Sequence, residues 1–190
     1  GGSSAEYAYS IAVESGYAHV TGETGSSNFP LLNAFDATLG GSIDCFATKL
    51  APDGQSLVYS TLLGGSSTDK GRDITVECGY AYVVGYTYSS DFPMSNAYDA
   101  THGGSADCFV TKVAPDGQSL LYSTFLGGSL GDFGRAIAVE SGSVFVTGYT
   151  VSSDFPTVSA YNATYGGGND CFITRFHSDG QFLIYSTYLG

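Results

Sequence analysis

Ser56-Leu57-Val58-Tyr59-Ser60-Thr61-Leu62-Leu63-Gly64-Gly65 returns 63 residues later as Ser119-Leu120-Leu121-Tyr122-Ser123-Thr124-Phe125-Leu126-Gly127-Gly128, and its Tyr-Ser-Thr centre recurs at Tyr185-Ser186-Thr187. Cys45, Cys108 and Cys171 keep the same step. Aligned without a gap, residues 1–63 and 64–126 are identical at 41 of 63 positions, more than a shared structural pattern imposes. A strict period of this length marks a repeat architecture, whose units cannot bury their apolar faces alone and must stack on neighbours. Function is therefore to be sought in the array. Gly1, Gly64, Gly127 and Gly190 are in register, which gives three units, 1–63, 64–126 and 127–190, the last carrying the first residue of a fourth.

Within one unit the signals are those of four short strands. Ser10–Glu14 alternates, as do its counterparts Asp73–Glu77 and Ala136–Glu140. A Ser-Gly or Cys-Gly pair then turns the chain into Tyr17–Thr24, with glycine free to take positive φ. A third strand is expected over Cys45–Leu50. Ala51-Pro52-Asp53-Gly54 is a turn signal, since proline presets φ and glycine accepts the left-handed conformation, and a fourth strand follows over Ser56–Leu63. Helical periodicity is absent. Four antiparallel strands repeated radially describe a propeller blade, so the fold class is all-β, with three tandem 63-residue four-stranded blades in a partial or oligomer-completed β-propeller. The unit is longer than common propeller repeats of roughly 40–50 residues. The excess lies between the second and third strands, over 25–44, 89–104 and 152–167.

Composition narrows the partners. A chain of 190 residues that is 43% hydrophobic can bury a sizeable core, and its 27 glycines fall at fixed places in each repeat. No apolar stretch approaches the roughly 20 residues that cross a bilayer, and no signal-peptide pattern opens the sequence. Six Lys and Arg against eighteen Asp and Glu leave a net charge of −12, which argues against nucleic acid and anionic membranes as partners. Three of the four cysteines are one position repeated, too far apart in a stacked array for a disulfide and expected as small buried thiols. Cys78 stands in a turn where the other copies have Ser15 and Ser141, and is the one candidate for an exposed thiol or a bond between chains. Without a CxxC spacing no zinc site is expected.

Several ordered motifs carry a family resemblance. Tyr122–Gly128 is followed by Gly131-Asp132-Phe133-Gly134-Arg135-Ala136-Ile137-Ala138-Val139, then Val146-Thr147-Gly148-Tyr149-Thr150, Ser153-Asp154-Phe155-Pro156 and Asp170-Cys171-Phe172-Ile173-Thr174-Arg175. In these the chain resembles the bacterial and archaeal SBBP β-propeller repeat, over essentially its whole length. The resemblance implies the propeller fold and a secreted or cell-surface location, and no particular activity, because propellers host unrelated functions. Repeat one departs from the pattern, with Glu6-Tyr7-Ala8-Tyr9 where the others have Asp69-Lys70-Gly71-Arg72 and Asp132-Phe133-Gly134-Arg135.

Three blades do not close a ring, which takes four to eight, so an apolar face is expected bare at each end. Those faces are complementary by repetition. Either the chain is a fragment of a longer array, or copies of it associate head to tail, giving a ring if the rotation closes and a filament if it does not, and two chains would make a six-bladed ring.

The loops between second and third strands and between blades share one face of a propeller. They would gather Asp69, Arg72, Asp91, Phe92, Asp132, Arg135, Asp154 and Phe155 as candidate binding residues for a glycan, a surface protein or Ca²⁺. Against this, Asp and Ser beside Gly and Pro are turn formers, and an Asp three residues before an Arg makes a local pair. No Asp-x-Asp-x-Asp loop is present, and neither a metal nor another cofactor is required. Catalysis has no anchor: His19, His102 and His177 occupy non-equivalent positions, and Asp44, Asp107 and Asp170 recur as acids that cap a bend in every blade. Asn162-Ala163-Thr164 is a glycosylation sequon where the other copies have Asp36 and Asp99. The sequence thus leads to a non-enzymatic extracellular structural or adhesive protein that self-associates through its blade faces. The alternatives are a glycan- or protein-binding module using the long loops and, below that, a polysaccharide-acting enzyme.

Overall fold

The computed structural model describes residues 1–190 and contains only strands. The first sheet is β1 (Glu6–Glu14), β2 (Tyr17–Thr24), β3 (Asp44–Leu50) and β4 (Leu57–Leu63). The second is β5 (Asp69–Glu77), β6 (Tyr80–Thr87), β7 (Asp107–Val113) and β8 (Leu120–Leu126). The third is β9 (Asp132–Glu140), β10 (Ser143–Thr150), β11 (Asp170–Phe176) and β12 (Leu183–Tyr188). Each sheet is an antiparallel meander in chain order, and each repeat makes one sheet. The fold is all-β, three propeller blades that do not close. No helix is long and apolar enough to cross a membrane.

The hairpin between first and second strands has positive φ at both central residues, Ser15 (52°) and Gly16 (82°), Cys78 (54°) and Gly79 (81°), Ser141 (51°) and Gly142 (77°). That is the type I′ geometry, whose twist matches the flanking strands. The first strand begins four residues before the expected Ser10, at Glu6. The alternation fails there because each first strand carries a β-bulge: pairing passes from Ala8 to Ser10, from Gly71 to Asp73 and from Gly134 to Ala136, leaving Tyr9, Arg72 and Arg135 without partners. The glycine beside the bulge allows the backbone its close approach, since a Cβ at Gly71 or Gly134 would collide with the thiol of Cys45 or Cys108 in the preceding blade.

The core lies between blades. One apolar cluster joins Cys45, Ala47, Tyr59 and Leu63 to Ile74, Val83, Phe92, Phe109 and Phe125 of the second blade. The other joins Tyr82, Val84, Cys108, Val110, Tyr122 and Leu126 to Ile137, Val146, Phe155, Phe172 and Tyr188 of the third. First strands approach one another, β5 packing on β1 and β9 on β5, so these three strands stand nearest the propeller axis.

The long segment between second and third strands folds back along the outer strand of its own blade. Leu32, Ser95 and Val158 make antiparallel bridges to Ser60, Ser123 and Ser186. Asp36, Asp99 and Asn162 each donate an N–H to the hydroxyl of Thr61, Thr124 or Thr187. Unpaired groups on the outermost strand are thereby covered, a common protection against edge-to-edge aggregation.

Candidate functional site

The acids read from the sequence separate into two kinds. Asp69 and Asp132 are fully buried. Asp69 accepts from the Gly65 N–H (2.8 Å), the Ser89 hydroxyl (2.9 Å) and the Thr87 hydroxyl. Asp132 accepts from Gly128 N–H (2.7 Å) and the Ser152 hydroxyl (2.9 Å). Asp44, Asp107 and Asp170 cap the glycine bends before the third strands, accepting from Gly40 (2.9 Å), Gly103 (2.7 Å) and Gly166 (2.5 Å) N–H groups. Burial raises the carboxyls of Asp69, Asp107 and Asp132 above the ordinary range and pushes Asp44 to about 6. These acids hold the inter-blade connections and are not displayed to solvent. Asp91 and Asp154 are exposed, each accepting from the backbone N–H and hydroxyl of Ser66 or Ser129 (2.8–3.0 Å). Those N–H bonds hold both carboxyls below the usual range.

Phe92 and Phe155, expected on the loop face, lie in the core. Phe92 stacks on Phe109 at 4.5 Å between ring centroids, and Phe155 lies 4.6 Å from Phe172. A Phe between Asp and Pro reads as loop, but the loop turns back at this point and the ring goes inward with it.

Arg72 and Arg135 make no ion pair with Asp69 or Asp132. The carboxylate contacts of basic groups are Lys70–Glu23 (3.2 Å) and His177–Asp179 (3.0 Å). The bulge aims both guanidinium groups at aromatic rings instead. Arg72 lies 4.3 Å from the Tyr9 ring and 5.1 Å from Tyr86, and donates to the Tyr86 hydroxyl at 2.8 Å. Arg135 lies 5.8 Å from Tyr86 and 5.1 Å from Tyr149. The result is a ladder from Tyr9 through Arg72, Tyr86 and Arg135 to Tyr149, beside the long-loop end of the axis. Its cation–π contacts hold two guanidinium groups that no carboxylate neutralises, and such groups can receive an anion. The tyrosines were not singled out from the sequence; Gly71 and Gly134 inside a strand pattern were the signal for the bulge.

The histidines share no setting. His19 is buried beside Tyr59 and burial lowers it to about 4; His102 Nε2 lies 3.3 Å from the Thr87 carbonyl; His177 pairs with Asp179. No three His, Cys, Asp or Glu side chains stand together so as to hold a metal. Asn162 uses its side chain in place: Oδ1 accepts from Thr164 N–H (2.9 Å) and Nδ2 donates to the Gly190 carbonyl (2.9 Å).

Residues 58–93 match the family described as beta-propeller repeat, SBBP. Over those residues the chain carries an SBBP repeat. No curated protein matches its sequence. The matched stretch begins in the fourth strand of one blade and ends in the loop of the next, taking in Asp69, Arg72, Asp91 and Phe92. Its counterpart 63 residues later, 121–156, holds Asp132, Asp154 and Phe155 in the same burial classes, with Arg135 more exposed than Arg72.

Repetition of the blade also fixes what the two outer faces display. Ile11 is 64% exposed, whereas its equivalents Ile74 and Ile137 are 3% and 7% exposed. At the other end Leu189 is 51% exposed, whereas Leu63 and Leu126 are fully buried. Cys171, expected as a buried thiol like Cys45 and Cys108, is exposed on the outer face of the third sheet. Beside it a shallow cavity of about 270 Å³ is lined by Ala136, Ala138, Phe145, Thr147 and Ile173.

Proposed function

We propose that the chain is a non-enzymatic structural propeller module which associates head to tail through its two open blade faces, outside the cell or at its surface. The observation that carries this reading is the contrast at Ile11 and Leu189. Side chains at these positions are buried at both internal junctions and bare at the two ends. What covers such a face inside the molecule is another blade of the same repeat, and a second copy brings one in the same orientation.

The contacts at the new junction follow from the internal ones. Glu14 accepts from the Gly79 N–H (2.7 Å), and Glu77 accepts from Ser141 (2.8 Å) and Gly142 (2.7 Å) N–H groups, so each first strand ends on the turn of the next blade. In a head-to-tail pair Glu140 meets Ser15 and Gly16 of the second copy, and Ile11 enters the cavity at Ala138 and Ile173. Two copies would complete a six-bladed ring, and a rotation that fails to close would give a filament. The acidity of the chain supports an exterior location by keeping such assemblies soluble.

Sedimentation over a range of concentrations tests the reading. The wild type should associate reversibly, and Ile11→Glu, which places a charge in an apolar junction, should leave a folded monomer. A wild type that stays monomeric at every concentration would overturn it. Electron microscopy then separates discrete rings from filaments.

A further inference from the structure

The three repeats differ at one turn in a way that opens a cleft. Ala51-Pro52-Asp53-Gly54 and Ala114-Pro115-Asp116-Gly117 become His177-Ser178-Asp179-Gly180 in the third blade. Between the second and third blades, where the turn between β11 and β12 meets the returning long loop of the second blade, a cleft of about 320 Å³ has Ser178, Asp179 and Gln181 on one side and Asn96, Lys112 and Tyr122 on the other. Its size lies at the small end of natural ligand pockets. The equivalent junction between the first two blades holds Asn33, Lys49, Tyr59 and Gln118 but has Pro115 in place of Ser178, and no such cleft is found there.

The walls are chemically specific. Lys112 Nζ is held 4.6 Å and 5.0 Å from the rings of Tyr80 and Tyr82 and has no carboxylate partner. Asn96 donates through Nδ2 to the Leu121 carbonyl (2.8 Å), which fixes the amide and leaves its oxygen as an acceptor. Tyr122 is almost fully buried, its ring lying against Gly180 of the turn. Asp179 is anchored by His177 and by the Gln181 N–H (3.0 Å), so an acceptor carboxylate stands across the cleft from the ammonium.

A fixed cation, a carboxylate acceptor, the side-chain amides of Asn96 and Gln181 and the Ser178 hydroxyl in so small a volume match a ligand with several hydroxyls and one carboxylate. We infer that this cleft binds an acidic monosaccharide unit of the uronic acid class, free or at the end of a glycan, with its carboxylate on Lys112 and its hydroxyls on Asn96, Ser178 and Asp179. The site lies within one chain and does not depend on association of chains.

Chemical-shift titration with glucuronate, galacturonate and their neutral parents glucose and galactose tests it on the whole chain. At least one uronate should shift the resonances of Asn96, Lys112 and Gln181 and bind roughly tenfold or more tightly than its neutral parent. Lys112→Gln should erase that preference. Ser178→Pro restores the residue found in the other two blades, and the Ser178 N–H makes no backbone hydrogen bond that proline would remove. That variant should therefore keep the wild-type melting temperature and lose roughly tenfold or more in affinity. No shift with either uronate, binding unchanged in Ser178→Pro, or equal binding of acid and neutral sugar would each overturn the assignment. An oligouronide that binds no better than the monosaccharide identifies the free sugar acid as the ligand, and tighter binding identifies the glycan end.

Discussion

Among single residues, the buried aspartates carry the clearest energetic consequence. Asp44 has a folded-state pKa of about 6 against an ordinary 3.8, because burial disfavours its charge. With the folded value raised, the folded state holds the proton more tightly than the unfolded chain between these two pH values. The neutral form therefore supports the fold fully below about pH 4, and that support is lost as pH rises through 6. Asp44→Asn stays neutral throughout, so its melting temperature relative to wild type should climb between pH 4 and pH 7 and level off above. Taking the difference cancels contributions common to both proteins, including that of His19, whose pKa is lowered and whose effect on stability runs the other way. The bend-capping place of Asp44 was legible from its recurrence beside Gly40 and Gly41. The inward direction of Phe92 was not, because it depends on a loop returning to its own sheet and not on the neighbours of Phe92 in sequence.

Elements are joined across the array by the carboxylate at the end of each first strand. The Glu77 carboxylate binds two N–H groups of the next turn, whereas the carboxylate of the equivalent Glu140 makes no hydrogen bond in the chain. Charge-assisted bonds of this kind contribute about 1.5–3 kcal/mol. Glu77→Ala should lower the denaturant-unfolding free energy of the monomer by about that amount, while Glu140→Ala should stay within about 0.5 kcal/mol of wild type. Under associating conditions the order changes, since Glu140→Ala should weaken the contact between chains. Turn residues made the strands legible, Ser15-Gly16 and Pro52-Asp53-Gly54 above all. The early start of β1, β5 and β9 was hidden by the bulge, which reverses alternation at Tyr9, Arg72 and Arg135. The return of the long loop was hidden too, because its bridges are made by backbone at Leu32, Ser95 and Val158, a position that the three repeats do not fill with one residue type.

Across the whole molecule, the thiols report which faces are open. Cys45 and Cys108 are buried, and burial pushes Cys45 up to about 12 and raises Cys108 well above its ordinary value. Cys78 and Cys171 are exposed. Alkylation of the native monomer should modify Cys78 and Cys171 and spare the other two until the chain unfolds. As concentration rises, Cys171 should become protected while Cys78 stays reactive, a pattern that mass spectrometry of the labelled peptides reads directly. Continued labelling of Cys171 in a sedimenting oligomer would show that the chains meet elsewhere.

The placement of both cores between sheets has a consequence for how the chain can be divided. A cut in the connection after β4 leaves Cys45, Ala47, Tyr59 and Leu63 on one piece and Ile74, Val83 and Phe109 on the other, each with half of an apolar layer. Within the chain neither half has another place to put it. The severed pieces are thus each other's natural chaperone, and a nick at a blade boundary should be healed by reassembly without a covalent bond being restored.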